Sequence, residues 1–465
     1  MSKELSLANH PTSPSVQKVC EVFWNLESEH ALLGWTVGGI SVWPLLRMKL
    51  YYTITQQLGL FDAPHPALKS LRKLARIRGL VQRVLRLATQ DHQLRAHWGN
   101  DHSPRYAILL GDRQVEGKDI YVQALCEEVG HSALVLEPSS RHSPSKGSID
   151  FNALRRSLDR RHRTTMTDVD PNTALGPCRH IRQAFKDKLE IDVGDLGDTI
   201  RPLVRRFLAE SRGFKEFFST NKVDTLFLVN AYNRMSVVAG AHTAGARVVE
   251  LQHGFISRFH LGYSWPGRPE VPYAPDEFWS FGRFWHEHTP LACQTSARII
   301  GAPYVRTLAS AAGERDSDLV VFTSQGVIGR RLFDFALHTA RCRPDRRVVF
   351  RLHPNELLKF YVNLLGEGSP DNFSLSHETP NIFALLASAG TQVGVFSTTL
   401  LEGMALGVRT VLINLPGIDY MQPVIARGDA LLVKDPQELV DKLDLAPRCR
   451  DPDYYYAEPI NRLVI

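Results

Sequence analysis

The chain of 465 residues is poor in cysteine and lacks the long apolar segments of a membrane or secreted protein. Its six cysteines are scattered, with no CxxC pair and no histidine at zinc-ligand spacing, so we expect reduced, packed thiols and no structural zinc. The polar first 17 residues hold two prolines and no apolar core of a secretory signal. No uninterrupted apolar run approaches the roughly 18–20 residues of a membrane-spanning helix. These absences predict a cytoplasmic protein.

Common signatures for nucleotides and metals are also missing. Neither a GxGxxG turn followed by an acidic residue nor a Walker loop occurs, which argues against dinucleotide-binding and NTPase activities. No DxD pair stands at the end of a predicted strand. The nearest one, Asp168 and Asp170, lies in a loop rich in Thr and Asp. We therefore expect no bound metal ion.

The net charge of +6 is modest but unevenly placed. Residues 69–86 contain seven cations and no acid, and apolar residues recur among them at helical spacing. Three alternatives fit this basic segment: the solvated face of a packed helix, an interfacial helix drawn to anionic lipid, or a nucleic-acid contact. No recognised nucleic-acid module accompanies the charge.

The length predicts about three structural units, and the pattern predicts an α/β protein. We expect a helical N-terminal extension at 1–99 packed on the next domain, a Rossmann-like lobe at 100–310, a second at 311–445 and a tail at 446–465. Strands are expected at 106–110, 132–136, 225–229, 246–251, 277–281, 298–300, 318–323, 347–352, 392–396 and 410–414. Intervening helices include 198–218, 234–243, 328–340, one from near Pro354, and 399–406. This alternation is typical of parallel, doubly wound sheets.

Polar and turn residues follow several of these strands. Ligands of open parallel sheets bind outside the carboxyl ends of the strands. Ser324 and Gln325 follow one strand of the second lobe, His353 follows the next, and residues 397–399 follow a third. Gln252 and His253 end a strand of the first lobe. Together they predict a cleft between the two sheets.

The second-lobe half of this cleft has a physical reason to bind phosphate. Ser397, Thr398 and Thr399 open a helix, whose free N–H groups and positive dipole favour an anion, and Glu402 could accept hydrogen bonds from a ribose. The alternative is that Thr399 and Glu402 form a capping box that serves only the helix itself.

Arg351 and His353 place a cation and an imidazole where a strand meets a helix. A ring N–H could donate to a phosphate oxygen and stabilise a leaving nucleotide. The alternative for His353 is a cap on the following helix.

The first-lobe half offers a candidate base. Gly254 allows a sharp turn that exposes His253, whose imidazole could accept a proton from a hydroxyl or only orient a substrate. His260, Tyr263 and Trp265 form an aromatic loop that either stacks on a sugar ring or packs in the core.

The blocks LQHG (251–254), SQG (324–326), RLHPNE (351–356) and VGVFSTTLLEGMALG (393–407), followed by LPG, resemble the GT-B glycosyltransferases of bacterial capsule and surface polysaccharide biosynthesis. They are more distantly similar to CDP-glycerol glycerophosphotransferases and to CMP-Kdo and sialic acid transferases. The resemblance spans about residues 225 to 433.

This resemblance implies transfer of a sugar, or a sugar-like group, from a nucleotide donor to a hydroxyl of a growing surface glycan or glycolipid. It implies that the donor phosphate is held by His353 and residues 397–399, the ribose by Glu402, and that His253 is the base. The sialic acid transferases use an aspartate of the first lobe, for which Asp112 is the best stand-in. Whether His253 or Asp112 is the base is open, and so is whether the reaction inverts or retains the configuration of the anomeric carbon. The resemblance implies a metal-independent enzyme with no cofactor and slightly favours CMP- or CDP-linked donors.

Within this hypothesis, the residues that contact the donor are Ser324, Gln325, Arg351, His353, Ser397, Thr398, Thr399 and Glu402. The residues that contact the acceptor are Gln252, His260 and Tyr263. The basic segment would dock the enzyme at the inner membrane face. Two other functions stay open: a sugar-nucleotide epimerase on the same fold, and a non-catalytic scaffold of a polysaccharide assembly complex. An epimerase releases free nucleotide without an acceptor, whereas a scaffold binds no nucleotide.

Overall fold

The computed structural model describes residues 15–61, 104–111, 114–115, 118–138, 147–162, 176–309, 313–354, 356–366, 368–377 and 379–463. Asp112, the Asp168 and Asp170 pair and the basic segment 69–86 lie outside these ranges. Within the described ranges, no helix has both the length and the apolarity needed to cross a membrane.

The N-terminal segment consists of two helices joined by a small hairpin. They are α1 (Val16–Glu29), β1 (Thr36–Val37), β2 (Ile40–Ser41) and α2 (Trp43–Gln57). Gly38 and Gly39 both have positive φ in the turn of the hairpin, a conformation that glycine adopts at no steric cost. Pro44 lies in the first turn of α2, where a missing N–H breaks no helical bond.

The first lobe is built on a seven-stranded parallel sheet. Its region contains β3 (Tyr106–Leu109), a small hairpin of β4 (Gln114–Val115) and β5 (Lys118–Asp119), β6 (Ala133–Glu137), β7 (Ile149–Asp150), β8 (Thr225–Val229), β9 (Arg247–Leu251), β10 (Glu277–Ser280) and β11 (Ser296–Ile299). The helices are α3 (Gln123–Val129), α4 (Phe151–Arg161), α5 (Gly176–Leu189), α6 (Leu196–Thr220), α7 (Met235–Thr243), α8 (Arg283–Glu287) and α9 (Pro303–Ala309). The strand order is β11-β10-β9-β8-β3-β6-β7. The chain adds strands outward from β3 to one edge and then from β8 to the other, so the order of addition reverses between β3 and β8 while all strands stay parallel.

The second lobe is a six-stranded parallel sheet. Its strands are β12 (Asp316–Thr323), β13 (Arg347–Arg351), β14 (Phe373–Ser376), β15 (Ala389–Gly394), β16 (Arg409–Ile413) and β17 (Leu431–Val433). Its helices are α10 (Gly329–Cys342), α11 (Leu358–Leu365), α12 (Ile382–Ser388), α13 (Thr398–Ala405), α14 (Gln422–Ala426) and α15 (Pro436–Lys442). The order β14-β13-β12-β15-β16-β17 reverses between β12 and β15. Both lobes are therefore doubly wound, as the alternating pattern predicted.

The longest buried strands were the ones that the sequence located best. Their near-continuous apolar runs are typical of parallel strands covered on both faces. The short edge strands were missed for different reasons: β7 has one apolar residue, β14 alternates apolar with polar residues, and β17 is apolar but only three residues long.

The prediction of a helix from near Pro354 was wrong. A turn at 353–356 comes first, closed by the Glu356 N–H donating to the His353 carbonyl at 2.8 Å, and α11 begins only at Leu358. The carboxylate of Glu356 also accepts the His353 N–H at 2.6 Å, which stabilises this turn in place of a helix.

The carboxyl ends of the two sheets face each other. Phe255, after β9, and Tyr420, after β16, have ring centroids 6.1 Å apart. One apolar cluster joins Phe278 and Trp285 of the first lobe to Leu400 of the second. The fold is thus two Rossmann-like lobes across a cleft, the GT-B arrangement that the resemblance implied.

Both chain ends tie the lobes together. The N-terminal segment was expected to pack on the first lobe, and it contacts the second lobe as well: Tyr51 shares a 2.6 Å hydrogen bond with Tyr420 of the second lobe, and the carboxyl of Asp419 accepts the N–H groups of Val16 and Gln17. Arg47 meanwhile donates to the Ser264 carbonyl of the first lobe at 2.8 Å.

The C-terminal tail contains α16 (Pro452–Tyr455) and returns to the first lobe. The Trp285 indole donates to the Tyr455 carbonyl at 2.6 Å, and the Leu463 N–H donates to Glu128 at 2.7 Å. The tail therefore leaves the second lobe and packs on the first.

Candidate active site between the lobes

The reversal point of the second sheet brings together two predicted donor residues. Gln325 follows β12, and its side-chain oxygen accepts the Phe396 N–H, directly after β15, at 3.3 Å. Ser397 caps α13, since its hydroxyl accepts the Thr399 N–H at 3.2 Å. Thr398 and Thr399 are half-buried at the open end of this helix. The crevice between adjacent strand ends is where open sheets bind ligands.

The capping box of Thr399 and Glu402, which was the alternative to a ligand-binding role, is not formed. Ser397, not Thr399, is the cap residue, and Glu402 is fully buried. The Glu402 carboxylate accepts the hydroxyl of Tyr304, from the helix that links the lobes, at 3.3 Å. Its contact with a ribose stays a prediction.

Glu356 organises the SQG and HPNE loops and was missed in the sequence. Its buried carboxylate accepts the Ser324 hydroxyl at 3.0 Å, the His353 N–H and the Tyr361 hydroxyl. Burial raises the pKa of Glu356, and these hydrogen bonds lower it. The signal in the sequence was the acidic residue of the RLHPNE block, in which only Arg351 and His353 were assigned roles. Glu356 holds Ser324 and the backbone of His353 beside the cleft.

Arg351 is buried and bonded within its own lobe. Its guanidinium donates to the Ser376 hydroxyl at 2.8 Å and to the Pro380 carbonyl at 2.7 Å. These contacts fix the end of β14 to β13. Direct contact of Arg351 with a donor stays a prediction.

His253 lies at the end of a buried chain of polar groups in the first lobe. The Tyr263 hydroxyl donates to the Glu250 carboxylate at 2.6 Å and lies 3.3 Å from Nδ1 of His253. Glu250 also accepts the Ala231 N–H at 3.0 Å. An acidic residue inside the apolar strand β9 was the signal for Glu250, since carboxylates are rarely fully buried without partners.

This chain fixes the tautomer of the imidazole. Because the Tyr263 proton is directed to Glu250, the phenolic oxygen can accept Nδ1–H of His253, which leaves Nε2 with a lone pair. Burial, followed by the nearby His260, lowers the pKa of His253 to about 3, so the ring is neutral at physiological pH. Burial raises the pKa of Glu250 to about 7 against its hydrogen bonds. The arrangement suits a ring that accepts a proton at Nε2 while a carboxylate stabilises the resulting cation.

Gln252, His260 and Tyr263 have structural partners. Gln252 accepts the Phe281 N–H at 3.0 Å and donates to the Gly254 carbonyl at 3.1 Å. Nδ1 of His260 accepts the Gly262 N–H at 3.2 Å, and its ring meets Tyr232 edge-on at 5.2 Å. Tyr263 is buried, as is Trp265. The core-packing alternative for the aromatic loop thus describes Tyr263 and Trp265, and their contact with an acceptor stays a prediction.

The reversal point of the first sheet lies beside this chain. Gly111, after β3, packs so closely that a Cβ there would lie 2.8 Å from Val229. Asn230, after β8, is left-handed (φ 64°), and its buried side-chain oxygen has no hydrogen-bond partner within the described residues. Asp112 directly follows Gly111 but lies outside the described residues, so it stays a prediction.

No family model matches the chain, and no curated protein shows significant similarity. Solved structures with loose similarity include MurG of Acinetobacter baumannii (12% identity, 74% of this chain and 90% of that chain, TM-score 0.40). Others are HepE of Anabaena in complex with UDP and glucose (11%, 76% and 92%, TM-score 0.41) and the UDP-GlcNAc 2-epimerase of Neisseria meningitidis bound to UDP-GlcNAc (12%, 73% and 90%, TM-score 0.44). The two-lobed architecture rests on the strand order and the facing sheet edges described above.

Proposed function

We propose that this protein is a glycosyltransferase that moves a sugar, or a sugar-like group, from a nucleotide donor to an acceptor hydroxyl. The observation that carries the proposal is the pairing of two unlike half-sites across the cleft. The second lobe presents the Ser397-capped end of α13 and the turn of His353, both suited to phosphate. The first lobe presents His253 with an available Nε2.

The chemistry follows from these groups. Nε2 of His253 takes the proton of the acceptor hydroxyl as its oxygen bonds to the anomeric carbon of the donor sugar. The bond from that carbon to the phosphate oxygen breaks, and the nucleotide leaves with the electron pair. The positive end of α13 and the imidazole of His353 stabilise the charge that develops on the phosphate.

The finer assignment follows the motif resemblance. We propose an acceptor belonging to a bacterial surface polysaccharide or glycolipid, a cytidine-linked donor, and no requirement for a metal ion. The basic segment 69–86 would bring the enzyme to the anionic inner membrane face, where a lipid-linked acceptor is presented.

A nucleotide panel tests the donor site. Thermal unfolding is measured with CMP, CDP, UDP and GDP, with native protein and His353→Ala in parallel. At least one nucleotide should raise the Tm of the native protein, with a smaller rise in the variant. No Tm shift with any of the four would favour the scaffold alternative.

A product assay then separates transferase from epimerase. Nucleotide release from the donor that the panel favours is followed with and without added acceptor glycosides. A transferase releases nucleotide in proportion to acceptor glycosylated. Release of free nucleotide without acceptor, together with an epimerised sugar, would establish the epimerase instead.

A further inference from the structure

A cavity of about 720 Å³ is lined by residues of the first lobe, of α9 and of the C-terminal tail. One lining residue is Tyr121, whose ring is edge-on to His253 with centroids 6.4 Å apart. Another is Tyr304, whose hydroxyl is bonded to Glu402. His253 and Glu402 do not line the cavity themselves, but each contacts a tyrosine that does. The size of the cavity falls within the range of small-molecule sites, roughly 300–1,000 Å³.

The walls of the cavity are mainly apolar. Tyr121 stacks on Phe281 with centroids 6.1 Å apart, and Tyr304 meets both rings edge-on. Ile120 and Leu251 add aliphatic surface. The C-terminal tail completes the wall, held there by the Ile460 N–H donating to the Ile300 carbonyl at 3.1 Å.

This lining discriminates between kinds of occupant. The hydroxyls of a sugar residue would lose water against Ile120, Leu251 and the ring faces without gaining hydrogen-bond partners there, which is unfavourable. An alkyl or aryl group gains free energy from the same surface. The polar side chains of the lining are mostly exposed or already bonded: Gln252 is hydrogen-bonded within the first lobe, Gln123 is half-buried, and the exposed ones are Glu127, Glu128, Thr307, Asn461 and Arg462.

We propose that this cavity binds an apolar group of the acceptor, an alkyl, prenyl or aryl chain attached close to the hydroxyl that is glycosylated. The acceptor role rests on the proposed function, whereas binding of an apolar group does not. The acceptor would thus be a short glycolipid or glycoside, recognised by its apolar end, and not an internal sugar of a long glycan.

The test compares hexyl β-D-glucoside with methyl β-D-glucoside as probes of the full chain. Saturation-transfer NMR and calorimetric titration report whether the hexyl chain is bound. Ala124→Trp and Thr307→Trp each place an indole in the cavity, the second from an exposed position that tolerates it. Ala239→Trp, the same change at a half-buried position of α7, is the matched control.

The native protein and the control should bind the hexyl glucoside at least about tenfold more tightly than the methyl glucoside. Both cavity variants should lose that preference while keeping the nucleotide-induced Tm shift. Equal binding of the two glucosides by native protein, or an unchanged preference in both folded cavity variants, would overturn the proposal. Hexyl binding without any transfer would leave the cavity assigned and count against the glycosyltransferase function alone.

Discussion

At the residue scale, the His253, Tyr263 and Glu250 chain decides what chemistry the first lobe can perform. Burial lowers the pKa of the His253 imidazole to about 3, so the ring is a weak base in the resting site. The Glu250 carboxylate, reached through the 2.6 Å bond from Tyr263, supplies the negative charge that stabilises the protonated ring. The base is therefore a property of three residues and not of the histidine alone.

Removing the imidazole should abolish turnover and leave the donor site intact. We expect His253→Ala to lower kcat by roughly 10²–10⁴-fold, because general-base catalysis is lost, with an unchanged nucleotide-induced Tm shift. Steady-state kinetics on the favoured donor measure this effect. Turnover within a few-fold of the native protein would remove His253 as the base.

The pH dependence should report the ionisation of Glu250. Its pKa is raised to about 7, so the carboxyl is protonated below that pH and charged above it. We expect kcat/KM to rise with pH through about 7, and Glu250→Gln to be slow with that limb absent. Tyr263→Phe breaks the same chain and should also lose the limb. A rising limb that persists unchanged in folded Glu250→Gln would contradict this role.

At the scale of elements, α13 depends on its cap. Ser397 satisfies the Thr399 N–H, and losing a serine cap costs about 1 kcal/mol. We expect Ser397→Ala to lower the free energy of unfolding by about that amount and to weaken nucleotide binding several-fold. Asp435→Ala removes the comparable cap of α15, where Asp435 accepts the Glu438 N–H at 2.8 Å, and is the control for stability alone. Denaturant unfolding and nucleotide titration measure the two effects. Equal nucleotide affinity in the two variants would show that the N-terminal end of α13 does not contact the donor.

The helices of the N-terminal segment also act on the site, through Arg47. Its buried guanidinium pairs with Glu27 at 2.5 Å and donates to the Ser264 carbonyl, one residue beyond Tyr263. Arg47→Met leaves Glu27 without its cation, and breaking such a pair costs about 3–5 kcal/mol. We expect a lower Tm in calorimetry and reduced turnover, whereas Arg47→Met with Glu27→Leu should recover stability more than turnover. Native turnover in Arg47→Met would show that the loop of Tyr263 and Ser264 does not need the hydrogen bond from Arg47.

At the scale of the whole molecule, the N-terminal segment and the C-terminal tail each contact both lobes, and we expect the lobes to unfold together. Tyr455 is fully buried against Phe284, with ring centroids 4.8 Å apart, and its hydroxyl donates to Asp429 at 2.7 Å. We expect a single endotherm for the native protein, and a Tm loss with broadening or splitting for Tyr455→Ala, because roughly 3–5 kcal/mol of packing is removed. Leu445→Ala, which truncates an exposed apolar side chain, is the control and should keep the native endotherm. A native-like endotherm for Tyr455→Ala would mean that the tail does not couple the lobes.

The sequence by itself determined the fold class and the edge of each sheet that carries the site. Apolar runs such as those of β8 and β12 make buried parallel strands, and parallel strands bring their carboxyl ends to one edge. That logic placed Ser324, His353, Ser397 and His253 at facing edges before any contact was known.

Only the tertiary structure decided which side chains at those edges are committed to the protein itself. Arg351 and Gln252 proved to bond their own lobes, Tyr263 became a link to Glu250, and Tyr304 came to cover Glu402. These contacts join residues that lie up to 98 positions apart in the chain, as Tyr304 and Glu402 do. A local pattern records the chemistry of each residue and its strand position, but its burial and its partners arise only when distant segments pack together.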